Sequence, residues 1–190
     1  MKLGRLLLRA TVGGFFIGHG TQKLFGWFGG HGLEATGNMF ESLGLRPGRT
    51  NAIAAGAAEA GGGALLAAGL ATPVGAAVIT ATMLTAIYRV HLKNGPWTSN
   101  GGYEYNAVLI AAALTLAEIG PGKPSFDDAL GLKLSGPAWA TAAALGGVAG
   151  AVGAHVAASS QAAPEPGPEA VGETNSQPSA EPVTAQTPAE

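Results

Sequence analysis

The chain has no cysteine. That excludes a disulfide framework, a thiol nucleophile and any zinc or iron–sulfur centre held by cysteine, so a redox role needs a bound cofactor or a partner protein. Charge is scarce as well. Lys, Arg, Asp and Glu make up 12% of the 190 residues, about half the usual share of a soluble domain. Between Asn51 and Tyr88 the one formally charged side chain is Glu59. The remaining charge is unevenly placed. Glu165, Glu169, Glu173, Glu181 and Glu190 lie beyond Ser160 with no lysine or arginine among them, so the rest of the chain carries +3 against a total of −2. No basic cluster suits phosphate contacts, which argues against nucleic acid as a partner. A Gly-rich nucleotide loop after a strand and a nucleophile elbow are both missing.

What is present is long apolar runs. Leu6 to Leu24 is apolar enough to span a bilayer, apart from Arg9 near its start and a polar group near its end. Lys2, Arg5 and Arg9 ahead of it resemble a signal peptide, but no small-x-small cleavage site follows promptly, which favours an uncleaved helix. Further spans are expected over Asn51–Leu70, Val74–Leu92 and Tyr103–Ile119. Between the first two, Leu33 to Leu45 is an amphipathic piece whose Phe40, Leu43 and Gly44 are expected on the membrane surface, and Gly44-Leu45-Arg46-Pro47-Gly48 reads as a helix stop and turn. Thr72-Pro73 reads as a tight turn. Ser125 is a candidate cap for a short helical turn. Pro137 to Val156 is a candidate fifth span built from alanine and glycine, with few strongly partitioning residues.

The expected fold is an all-α integral membrane protein, a four-helix transmembrane bundle. Its organisation is a four-span domain over 1–122, a polar connector over 123–136, a candidate fifth helix over 137–157 and a disordered acidic Pro/Ala-rich tail over 158–190. Gly14 with Gly18, Gly56 with Ala60 and Gly146 with Gly150 are small residues four apart, the spacing that lets helices approach closely in lipid. Lys2, Arg5 and Arg9 favour a cytoplasmic N-terminus, although Arg46, Arg49 and Lys93 fall on the opposite side.

Alternating topology has a consequence for the polar residues. Ends of odd spans and starts of even spans face one side. His19, Gln22 and Lys23, then Glu59, then Tyr88, Arg89 and His91, then Glu104 and Asn106 therefore belong to one half of the bilayer. At a rise of ~1.5 Å per residue, His19 and Glu59 lie roughly 10 Å below that surface. His19, Gln22 and Lys23 are spaced i, i+3, i+4, and Tyr88 and His91 i, i+3, so each set shares a helix face. Glu59, flanked by small residues, is too costly to leave alone in hydrocarbon, so it is expected to pair with Lys23 or a histidine, or to carry a proton. Glu59 and His19 are the candidates for proton exchange. Gln22, Lys23, Tyr88, His91 and Glu104 are the candidates for a quinone-binding pocket. Blander roles compete with these. Lys23, Arg89 and Lys93 are near enough to the interface to snorkel, Trp27, Phe28 and Trp97 suit an aromatic belt, and Glu104 suits the start of the fourth helix. No tight metal-ligand motif is present, although His19, His91, Glu59 and Glu104 offer nitrogen and oxygen donors.

At these residues the chain resembles the DoxX family of small bacterial membrane proteins. The resemblance rests on His19-Gly20-x-Gln22-Lys23-Leu24-Phe25-Gly26-Trp27-Phe28-Gly29-Gly30, on Ala58-Glu59-x-Gly61-Gly62, on His91-Leu92 and on Gly101-Gly102-Tyr103-Glu104, and runs from about Leu6 to Ile119. It implies a four-helix bundle in the bacterial cytoplasmic membrane and an oxidoreductase-like role. Some members are subunits of thiosulfate:quinone oxidoreductase and others are membrane partners in oxidative-stress complexes. The extra Ala/Gly segment and the acidic tail depart from that pattern. Three functions follow as expectations. The first is a quinone-linked or oxidative-stress-related redox subunit. The second is a non-catalytic anchor for soluble redox or stress enzymes. A small transporter ranks last, for want of an inverted repeat.

Overall fold

Helices make up the structure, a computed structural model that describes residues 3–160, and those residues contain no strand. Seven α-helices follow one another: α1 (Leu3–Phe25), α2 (Gly32–Ser42), α3 (Gly48–Ala68), α4 (Thr72–Ala86), α5 (Glu104–Ile119), α6 (Phe126–Ala129) and α7 (Pro137–Ser159). α4 runs on without a break through a π-helical turn, Ile87–His91, and a short 3₁₀ turn, Leu92–Asn94. The expected tail lies almost wholly outside the described residues.

The core explains the composition. Phe16, Leu66, Ile79 and Leu116 are fully buried at its centre, with Val12, Met83, Leu109 and the small Ala76, Ala113, Ala117 and Ala143 around them. Large apolar side chains instead point outward: Leu7 and Phe15 on α1, Val108 on α5, Leu145, Val148 and Val152 on α7. A protein folding in water would bury these groups. In lipid they lose nothing by facing out, and helix contact is made by small residues.

α1 and α3 show how close that contact becomes. A β-carbon on Gly13 would sit 2.5 Å from the Gly63 carbonyl oxygen, and one on Gly20 would sit 2.5 Å from the Ala60 amide nitrogen. The seam is therefore Gly13 and Gly20 against Gly56, Ala60 and Gly63. Gly14 and Gly18, expected to form it, have nothing within 4 Å of their would-be β-carbons. Both pairs share one composition, and only the rotation of α1 about its axis separates them. On the other flank Gly146, Gly147 and Gly150 of α7 lie against Ala77, Thr80 and Ala81 of α4.

Among the described residues, two helical segments are long and apolar enough to cross a membrane by length and hydropathy, Thr72–Asn94 and Pro137–Ala158. The Ala/Gly segment expected to be the doubtful one is thus among the two that qualify. α1 carries Arg5, Arg9 and Lys23, α3 is diluted with glycine, and α5 has 16 residues. The turn near Thr72 is also shifted from its expected place: Gly69 closes α3 in the left-handed region, and Thr72-Pro73 form the first turn of α4.

The connector is docked firmly onto one end of the bundle. Ser125 caps α6 by accepting the Asp128 amide at 3.2 Å, as expected. Buried Asp127 accepts from the Ala71 amide (2.7 Å), the Thr72 amide (3.2 Å) and the Thr72 hydroxyl (2.8 Å), so a distant residue caps α4. Arg9, also buried, donates to the carbonyls of Pro121 and Pro124, and Arg5 donates to that of Ile119.

Candidate functional site

At the opposite end of the bundle the helices part around a cavity of about 620 Å³. Its walls come from α1, α2, α3, α4 with its π turn, α5, the 98–102 loop and α7, and most of the surface is apolar. Phe40 of α2 and Leu43, its C-cap, line it, and Leu45, which follows, is buried against it. The amphipathic helix therefore turns its apolar side down over the cavity and serves as a roof. Gly44, φ 74°, makes the reversal that ends it.

Glu59 sits on α3 among glycines and is 6% exposed. Its Oε2 lies 2.5 Å from Lys23 Nζ of α1, so the carboxylate is paired as its burial requires. Both side chains line the cavity. The α1–α3 seam makes this contact possible, because glycine and alanine bring the two backbones near enough for a lysine to reach across.

His19 and His91 complete the polar wall. Nδ1 of His19 is 3.1 Å from Gln22 Oε1, and the Gln22 amide group donates in turn to the Phe28 carbonyl. Gln22 is pinned from behind by Gly30, where a β-carbon would strike its Cα at 2.5 Å. Nδ1 of His91 lies 2.7 Å from the Gly101 carbonyl oxygen, which can only accept. In these bonds each ring donates through Nδ1, leaving Nε2 of the neutral imidazole with a lone pair. Two imidazoles, each anchored through Nδ1, thus share a cavity with an ion pair. Asn106, buried on α5, lines it as well and donates to Met83 Sδ at 3.3 Å.

Of the seven side chains singled out from sequence, His19, Lys23, Glu59 and His91 line the cavity, while Gln22, Tyr88 and Glu104 do not. Gln22 stands behind His19 and orients it. Glu104 accepts the Thr98 amide at 2.8 Å and fastens the 98–102 loop. Tyr88 is turned aside by the π turn. The spacing i, i+3 puts two residues on one face of a 3.6-residue helix, but a π turn takes more residues per turn and rotates them apart. Tyr88 is 60% exposed and packs edge-on against His155 of α7, ring centroids 5.0 Å apart.

Arg89, grouped from sequence with these residues and also given a competing snorkelling role, lines the cavity as well. Its Nη1 donates to the Leu43 carbonyl (3.3 Å), its Nη2 lies 2.7 Å from His155 Nδ1, and its guanidinium carbon is 5.8 Å from the Tyr88 ring centre. Neither the π turn nor the docking of α7 has a sequence signature, so the contact of Arg89 with His155 was not legible. Among the described residues no three His, Asp or Glu side chains gather to hold a metal.

A family model described as DoxX matches residues 4–92, which carry His19, Gln22, Lys23, Glu59, Tyr88, Arg89 and His91. Gly101–Glu104, α5 and α7 lie beyond the matched segment. The Bacillus subtilis (strain 168) protein "Putative oxidoreductase CatD" is 35% identical over 115 residues, covering 60% of this chain and 79% of that relative. No solved structure matches the chain.

Proposed function

The chain belongs to the DoxX family of membrane proteins, of oxidoreductase-like type, and on that premise we propose that it is a multi-pass subunit of a quinone-linked or oxidative-stress-related oxidoreductase in the bacterial cytoplasmic membrane. Four crossings (α1, α3, α4 with its π turn, α5) form the bundle, α7 is a fifth crossing, and the N-terminus faces the cytoplasm. The observation that carries the functional reading is the cavity itself. It joins an apolar interior to a wall bearing Lys23–Glu59, His19 and His91.

These residues fit a quinone. Such a head group needs hydrogen-bond partners for two carbonyl oxygens beside an apolar slot, and when bound it accepts two electrons and two protons. Lys23 donates hydrogen bonds and holds the carboxylate. The carboxylate and the two imidazoles exchange protons at Oε2 and Nε2. Gln22 and the Gly101 carbonyl fix the rings, so little reorganisation is needed as protons move. The chain has no cysteine to ligate a redox centre, and on this reading electrons enter from a partner protein.

The full chain, purified in neutral detergent, should retain quinone, and quinone-dependent electron transfer reconstituted with its donor should fall about 10²-fold or more in Glu59→Gln. Unaltered turnover in a folded Glu59→Gln removes Glu59 from the reaction. A non-catalytic anchor is the second reading, favoured by the acidic segment that follows α7. Deleting residues 159–190 separates the two: an anchor loses its crosslinked partner, whereas a quinone site keeps its bound quinone.

A further inference from the structure

The charge on the cavity wall does not balance. Lys23 is matched by Glu59, but Arg89 takes part in none of the ion pairs found among the described residues. A guanidinium stays protonated and can only donate. Its bond to His155 Nδ1 therefore makes that nitrogen the acceptor, and an imidazole supplies no negative charge. Arg89 Nη1 and Nη2 each make one bond to the protein, and each carries a second N–H. Three contacts already hold the group in place, from Leu43, His155 and Tyr88, so it is preorganised rather than searching solvent. A cation fixed at the edge of an apolar cavity with N–H donors to spare is costly alone, and an anion relieves that cost. Beyond it the wall is apolar, with Met39, Phe40, Leu43, Met83 and Leu109.

We propose that Arg89, held by His155 of α7, is the head-group site for an acidic amphiphile, a molecule with one carboxylate or phosphate oxyanion and an apolar chain lying along the cavity. The site goes beyond the quinone reading, since it uses a different charge and needs α7, which lies outside the family-matched segment. Gly150 and Ala154 of α7 line the same cavity, so this helix supplies wall as well as anchor.

Equilibrium binding to the full chain in neutral detergent tests this, with a radiolabelled long-chain fatty acid, the fatty alcohol of equal length and phosphatidylglycerol as competitor. The acid should bind saturably and at least about ten-fold more tightly than the alcohol, as expected for a charge-assisted contact. Arg89→Gln should erase that preference and Arg89→Lys should restore part of it. Displacement by phosphatidylglycerol assigns the site to a membrane lipid phosphate; resistance to displacement assigns it to a free carboxylate. Equal affinity for acid and alcohol overturns the proposal, as does undiminished acid preference in a folded Arg89→Gln. If that variant does not fold, the acid–alcohol comparison on the unaltered chain still decides. Glu59→Gln, which tests the quinone reading, should leave acid binding undiminished, so either idea can fail alone.

Discussion

Lys23 and Glu59 are 24% and 8% exposed at their side chains and 2.5 Å apart, on helices joined by a glycine seam. Breaking such a pair from one side leaves a buried charge, so Lys23→Met should lower stability by about 3–5 kcal/mol. Joining it with Glu59→Gln removes the stranded charge, and the double variant should unfold in neutral detergent at a higher temperature than Lys23→Met. A double variant as unstable as the sum of the singles would mean the two do not pair. Asp127 makes a second prediction of this kind. It satisfies two amides at the start of α4 and the Thr72 hydroxyl, so Asp127→Ala should cost about 1–2 kcal/mol, read by thermal unfolding. Glu59 was legible from sequence because a carboxylate among small apolar residues has few tolerable fates, and pairing with Lys23 is one of them. Asp127 was not, because its worth depends on where the connector docks.

At the scale of the element, α1 and α3 are held by missing side chains. Gly20→Ala and Gly13→Ala push a β-carbon into the α3 backbone, and each should destabilise by about 1–3 kcal/mol, as overpacking does. Gly14→Ala and Gly18→Ala meet nothing and gain helix propensity, so they should leave unfolding temperature unchanged or raise it. Equal effects at all four positions would contradict the seam. The spacing of small residues revealed that close packing occurs, while the rotation that selects Gly13 and Gly20 comes from the whole helix pair. The π turn has the same origin. Tyr88 and His91 look like one face in sequence, yet Ile87–His91 rotates Tyr88 toward α7 and Arg89 into the cavity. α2 shows a third case: its amphipathic pattern was plain, but that Phe40 and the following Leu43 line the cavity depends on how the helix docks.

Across the whole molecule, two ends of the bundle do different work. The connector end is tied down by Asp127, Arg9 and Arg5. The other end opens into a cavity whose charged and titratable groups come from α1, α3, the π turn of α4 and, through Arg89, α7. Alternation of spans was enough to forecast that His19, Lys23, Glu59 and His91 would meet, since it fixes which helix ends are neighbours. It could not forecast the contribution of α7, whose Ala/Gly composition carries no functional pattern. The account stands on that cavity taking up a quinone beside Lys23 and Glu59. Photoaffinity labelling of the full chain with an azidoquinone, followed by peptide mapping, addresses it directly. Label should fall on cavity-lining peptides of α1, α3 and the π turn, should be blocked by excess unmodified quinone, and should drop about ten-fold in the Lys23→Met, Glu59→Gln variant. Label spread over the outward faces of α5 and α7, indifferent to competitor and to those substitutions, would contradict it.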